Sequence, residues 1–268
     1  MLVMVLAMTA PSPTASTPPV VALPAAPTAA IVIIGEEILS GKVDEENARY
    51  AVRELRALGV SVRRIEIVPD LAEEIADSLR VLSQRFDHVF TSGGVGPTHD
   101  DVTLPAVAHA FGMKLARRPE LEALIRRALG SELHERDLRM ADIPDGAHLL
   151  YGDPPDPTRW PVVAVGNVYV LPGVPAIFRR KFDILRPMLQ GRPIFGRFIL
   201  SREGEGPIAA ALDAVVAAFP SVAIGSYPQM DAATHKVRIT VDGRDQADVE
   251  AAVADLCRRL GSAVVGAG

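Results

Sequence analysis

Apolar positions recur along the chain in two alternating rhythms. Ala29-Ala-Ile-Val-Ile-Ile-Gly35 is an unbroken, β-branched run, the pattern of a strand buried on both faces of a parallel sheet. From Asp44 the spacing changes: Ala48, Ala51, Val52, Leu55 and Leu58 form one helical stripe, which Asp44 can N-cap and Gly59 ends. Val60 to Val68 returns to a strand pattern. Pro69-Asp70 then opens a second helix carrying Leu71, Ile75, Leu79 and Leu82, and Phe86 to Thr91 reads as a third strand. A glycine turn and another helical pattern follow. This β-α-β-α-β-loop-α order predicts an α/β fold built on a doubly wound, mostly parallel sheet.

Residues 114–142 read as helical and charged, and short strands are expected at Ala147 to Tyr151, Pro161 to Val165 and Val168 to Leu171. Gly152 to Pro157 is a proline-rich loop between them. Leu171-Pro-Gly-Val-Pro175 starts a helix through Phe178, Phe182 and Leu185. Gly191-Arg-Pro193 marks a boundary, beyond which strands and helices alternate as β-α-β-β-α in a small α+β domain spanning 191–268. That unit carries no catalytic cluster, which suits an oligomerisation or lid module. At the other end, residues 1–28 hold no Lys, Arg, Asp or Glu and six prolines, the composition of a disordered Ala/Pro/Thr-rich tail. The ligand-binding domain is therefore placed at 29–190.

Composition narrows the functional classes. The chain is 49% hydrophobic and 23% charged, as expected of a globular protein, and its net charge of -5 argues against nucleic acid as the main partner. No apolar run reaches the ~18 to 20 residues of a membrane-spanning helix, so no membrane partner is expected. The single cysteine, Cys257, excludes an internal disulfide framework and suits a cytoplasmic location.

The chemistry concentrates in Ser92-Gly-Gly-Val-Gly-Pro-Thr-His-Asp-Asp-Val-Thr103. Gly93, Gly94 and Gly96 let the backbone approach a ligand without interference from Cβ atoms, and a following helix aims free N–H groups at the same place. Phosphate is the expected guest. The turn lacks the Gly-Lys-Ser/Thr of a P-loop and the third glycine of a dinucleotide motif. Ligands of doubly wound sheets bind beyond the carboxyl ends of the strands, where Gly35-Glu-Glu37, Pro69-Asp70 and Ser92 to Asp101 all fall. One of Glu36 and Glu37 could reach metal or ribose. His99 reads as a hydrogen-bonding loop residue, Arg117-Arg118 as a solvated helix start and Trp160 as packing.

These motifs, with Ile34-Gly-Glu-Glu-Ile-Leu-Ser-Gly41, Asp44 with Asn47, and Leu171-Pro-Gly-Val-Pro175, resemble the molybdopterin-binding domain superfamily. The branch they resemble is shared by competence-damage-inducible protein A and the amino-terminal part of eukaryotic FAD synthetases. Trp160 to Pro175 is similar to the FAD synthetase version. The resemblance implies that the glycine turn holds the phosphate end of a pterin or nucleotide. It also implies that Asp70 and Asp101 match aspartates serving phosphoryl chemistry through a divalent metal. In this branch the activity is associated with metal-dependent cleavage of a pyrophosphate, in FAD or ADP-ribose. Asp153-Pro-Pro-Asp-Pro-Thr-Arg-Trp-Pro161 departs from the Asn-Pro-x-Gly-Thr-Ala-Pro-Gly stretch of the competence proteins. These 268 residues also hold no counterpart of their nicotinamide-nucleotide deamidase domain.

The resulting expectation is a metal-dependent nucleotide pyrophosphatase. Asp70 and Asp101 would hold the cation, Asp100 would help or cap, and Ser92, Gly93, Gly94, Gly96, Thr98, Glu36, Pro172 and Gly173 would bind the ligand. Its rivals are molybdopterin binding or adenylylation and a non-catalytic nucleotide-binding scaffold. Relatives tend to self-associate, so a homo-oligomer is expected.

Overall fold

The structure, a computed structural model, describes residues 26–268. Most of the expected tail lies outside these residues. In chain order the first body contains β1 (Thr28–Ile34), α1 (Glu36–Leu39), α2 (Asn47–Ala57), β2 (Ser61–Val68), α3 (Ala72–Arg85), β3 (His88–Ser92) and α4 (Thr103–Ala110). It continues with β4 (Leu115–Arg117), α5 (Pro119–Leu129), β5 (Asp142–Pro144), β6 (His148–Leu150), β7 (Val162–Val165), β8 (Val168–Leu171) and α6 (Pro175–Leu185). The second body comprises β9 (Phe195–Ser201), α7 (Glu205–Ala218), β10 (Val222–Pro228), β11 (Val237–Gly243), α8 (Gln246–Leu260) and β12 (Val264–Ala267).

The first body is a six-stranded sheet in the order β2-β1-β3-β8-β7-β6. Strands β2, β1, β3 and β8 are parallel, and β7 and β6 complete the sheet by antiparallel pairing. The continuous apolar run of β1 is explained by its central place. Ala30, Val32 and Ile34 enter the core beneath α3, α4 and α5, whereas Ala29, Ile31 and Ile33 enter the core beneath α2 and α6. Each strand residue is thus buried on alternate faces. On the α6 side Phe178 and Phe182 are fully buried and lie at ring-centroid distances of 6.2 Å and 5.8 Å from Tyr50. Burying side chains of this kind contributes ~1.5 to 3 kcal/mol each, which fixes α6 and the turn before it.

Several expectations are revised. Thr28 belongs to β1, its N–H and hydroxyl both donating to Asp87 at 2.7 Å. Asp44 does not cap α2; the N-cap is Glu46, and Glu45 Oε1 accepts from the Ala48 amide at 2.7 Å. Asp100 does not cap α4, whose N-cap is Val102. The 114–142 segment is not all helix, because Leu115–Arg117 and Asp142–Pro144 pair as a two-stranded ribbon around α5. In that segment Arg117 lies in β4 and pairs with Asp142, so only Arg118, the N-cap of α5 and paired with Glu120, stands at the expected helix start.

The second body is a four-stranded antiparallel sheet, β10-β11-β9-β12, covered by α7 and α8. It has its own core, including Ile199, Ile239 and Leu256. The bodies meet beside Gly59, where Arg56 pairs with Asp242 and Arg244 donates to the carbonyls of Arg192 and Gly59.

Candidate functional site

Because β1, β3 and β8 run in parallel, the turns after them emerge on one edge of the sheet. The strongest constraint lies after β3. Gly93 has φ +113°, and a Cβ there would sit 2.1 Å from the Ile34 carbonyl oxygen, so no other residue fits between the ends of β1 and β3. Gly94 also has positive φ, +63°. Thr103, in the first turn of α4, closes the loop: its hydroxyl donates to the Gly93 carbonyl at 2.8 Å and its amide to the Gly94 carbonyl at 3.0 Å. Among the described residues, no acceptor takes the amides of Gly94, Val95 and Gly96.

The turn after β8 packs onto this loop through Gly173, where an added Cβ would lie 3.4 Å from Gly93 Cα. Asn47 ties the two together, its Nδ2 donating to Ser92 Oγ at 2.9 Å and to the Gly173 carbonyl at 2.7 Å. Between the turns opens a cavity of about 730 Å³. Gly93 to Gly96 and Pro172 to Pro175 form its rim, with Leu104, Met140, Val163, Val170 and Ile177 as an apolar wall and Asp101, Glu37 and Lys181 as the charged groups. The size and the few polar groups in an apolar lining suit a ring attached to an anion.

A family model described as a probable molybdopterin binding domain matches residues 30–191, and one described as the middle domain of FAD synthase matches 193–267. The chain belongs to the molybdopterin-binding domain family. It is similar to a probable FAD synthase of Caenorhabditis briggsae, 33% identical over 249 residues that cover 84% of this chain and 48% of that protein. A probable FAD synthase of Caenorhabditis elegans is 32% identical, with 91% and 52% covered. The chain therefore spans about half the length of these relatives. A CinA-like protein of Frankia casuarinae is 32% identical over 84% of this chain and 56% of its own. The solved structure of the protein CinA with unknown function from Thermoplasma acidophilum aligns with a TM-score of 0.55 and 30% identity, covering 61% of this chain and 99% of that one.

In this member of the family, six of the expected site residues line the cavity together: Gly93, Gly94, Gly96, Asp101, Pro172 and Gly173. Asp101 Oδ2 accepts the Thr98 amide at 2.8 Å and also the Thr98 hydroxyl, which lies between it and Asp100 Oδ1. Those bonds turn the Asp101 carboxylate onto the loop, where it lies against Gly96. They also occupy the donors of Thr98. Asp100 is exposed, and the Thr98 hydroxyl holds its carboxyl below the usual range. Ser92 is buried between loops and, like Thr98, Asp100, Glu36 and Asp70, is absent from the lining. Glu37, not Glu36, is the strand-end glutamate that reaches the cavity. Asp70 instead accepts the Glu36 amide at 2.8 Å, anchoring the short α1 that carries Glu37. His99 is fully exposed, 3.8 Å from Asp100.

Two lining residues carry more than the sequence reading gave them. Trp160 packs against the core and also faces the cavity. Lys181 is 7% exposed, and its ammonium donates to the carbonyls of Trp160 and Pro161. Burial lowers its pKa to about 7. The signal was present in the helix: Lys181 stands three residues after Phe178 and four before Leu185, on the apolar face of α6.

Proposed function

We propose that the chain binds a nucleotide or pterin phosphate at the glycine turn and hydrolyses a nucleotide pyrophosphate of the FAD or ADP-ribose type. The observation that carries this reading is the juxtaposition, in one cavity, of the free Gly94–Gly96 amides with the Asp101 carboxylate. The amides bind phosphate oxygens, as backbone donors at a loop-to-helix junction do. The apolar wall takes a ring, beside the edge where the phosphate binds.

A divalent cation fits this donor set as a site shared with the phosphates of the ligand. Among the described residues no group of three His, Cys, Asp or Glu is placed to enclose a metal, so a cage made of protein alone is absent. One or two carboxylates combined with ligand phosphates are nevertheless a sufficient site for a magnesium-like ion. Asp101 and Glu37 are the residues that would hold it; when bound, such an ion neutralises phosphate charge and acidifies coordinated water. Asp70 then serves as a positioning residue through the Glu36 amide. Asp101 Oδ1 accepts no protein donor among the described residues and is the atom open to the metal or to a water proton.

The comparisons support the family and the nucleotide-type ligand: the probable FAD synthases match across both bodies of the chain. The test is turnover of FAD and ADP-ribose with added Mg²⁺, Mn²⁺ or Co²⁺. Wild type should release AMP, and Asp101→Ala should lower the rate at least about a hundredfold, a loss of the size expected when a charged catalytic group is removed. Unchanged turnover would remove Asp101 from the mechanism. Adenylylation of molybdopterin by ATP with release of pyrophosphate, and no hydrolysis of FAD or ADP-ribose, would replace the reading with its adenylyltransferase rival.

A further inference from the structure

Behind Trp160 lies a second cavity of about 860 Å³, bounded by the loop from Tyr151 to Asp156 and by α6. It shares Trp160, Ile177 and Lys181 with the first cavity, so these side chains form the partition between the two. Lys181 is the charged member of that partition. Its surroundings are unusual for a buried cation. The charged residues lining the two cavities are Glu37 and Asp101 on one side and Asp153, Asp156, Asp183, Arg159 and Arg180 on the other. None pairs with Lys181, and burial lowers its pKa. Two carbonyls satisfy two of its three N–H donors without neutralising it.

A buried charge with hydrogen-bond acceptors but no counter-charge is costly, and an anion brought to it gains the interaction that the protein omits. We infer that Lys181 is an anion-binding residue, holding the bridging phosphates of a two-part ligand whose halves occupy the cavities on either side of the Trp160–Lys181 partition. This rests on the reading of the glycine-turn cavity as a phosphate-ligand site but not on hydrolysis. A terminal phosphate would fill one cavity only. A bridging diphosphate has a substituent for each.

The competing role for Lys181 is purely structural, a tether between α6 and the strand that begins at Val162. Binding of the α,β-methylene analogue of ADP-ribose, which keeps both charges and resists cleavage, separates the two roles when measured beside AMP and adenosine by calorimetry with Mg²⁺ present. Wild type should bind the analogue more tightly than AMP. Lys181→Met and Lys181→Gln should each weaken the analogue about tenfold or more, the scale of a lost charged hydrogen bond, while leaving adenosine unchanged; Gln retains a donor for the carbonyls but no charge. The wild-type affinity should also fall as pH rises from 6 to 9, because the Lys181 ammonium of the unliganded protein loses its proton near 7 whereas a phosphodiester pair does not titrate there. Both variants should be flat across that range. Equal losses for analogue and adenosine would reduce Lys181 to a tether, and unchanged analogue affinity in either variant would overturn the inference. AMP binding as tightly as the analogue would overturn the two-cavity arrangement. Absent turnover of ADP-ribose together with Lys181-dependent binding would defeat the hydrolysis reading alone.

Discussion

The two sheets of the molecule bury comparable kinds of side chain but place their strand ends differently. In the first, four parallel strands stop on one edge, so the turns after β1, β3 and β8 crowd together around a shared cavity, and three backbone amides of one turn are left without an acceptor among the described residues. In the second, every neighbouring pair is antiparallel, so strand ends alternate between edges and their turns are spread apart. The side chains there satisfy one another locally, as where Asp245 caps α8 and Asp255 takes Arg258 and Arg259. Parallel pairing concentrates unsatisfied polar groups; antiparallel pairing disperses them.

Substitutions in the two bodies should differ in the same way. The largest effect is expected for Gly93→Ala, which forces a Cβ into the Ile34 carbonyl at a positive φ; it should destabilise the first body by about 3 kcal/mol or more and abolish ligand binding. Denaturant unfolding followed by near-ultraviolet dichroism of Trp160 measures it. A next, smaller effect is expected for Asp70→Ala. Losing the bond to the Glu36 amide should cost about 1 kcal/mol and raise KM more than it lowers kcat, since the group acts through α1.

Lys181 supplies a pH test. Its folded pKa, about 7, lies below the ordinary 10.5, so between those values the unfolded chain binds more protons. Wild-type stability should therefore gain a rising contribution between pH 7 and 10.5, and Lys181→Met should remove it; equal slopes in denaturation series at several pH values would contradict a buried, depressed amine. The smallest effect is expected in the second body. Asp245→Ala removes acceptors from the Ala247 and Asp248 amides at 2.8 and 3.3 Å and should cost about 1 kcal/mol without changing ligand affinity.

The sequence made the first body legible because its central strands are continuous apolar runs and its glycine turn has a conformational reason for each of Gly93 and Gly94. It could not separate residues that touch a ligand from residues that hold those residues. Asp70 and Asp101 stand at equivalent strand ends, yet one bonds a backbone amide beneath α1 and the other lines the cavity. Four-residue α1 and three-residue β4 are too short to leave a periodic trace, and β12 is interrupted by Gly266. Lys181 is hidden by its neighbours Arg179 and Arg180, which are exposed, so a three-residue basic run conceals one buried member.

In the proposed function, phosphate binds the free amides of the glycine turn. Residue-resolved hydrogen exchange, with and without the methylene analogue of ADP-ribose, tests it directly. The Gly94, Val95 and Gly96 amides should become protected on binding, with no change over residues 195–267. Unchanged exchange at those three amides at saturating ligand, or protection centred on the second sheet, would contradict it.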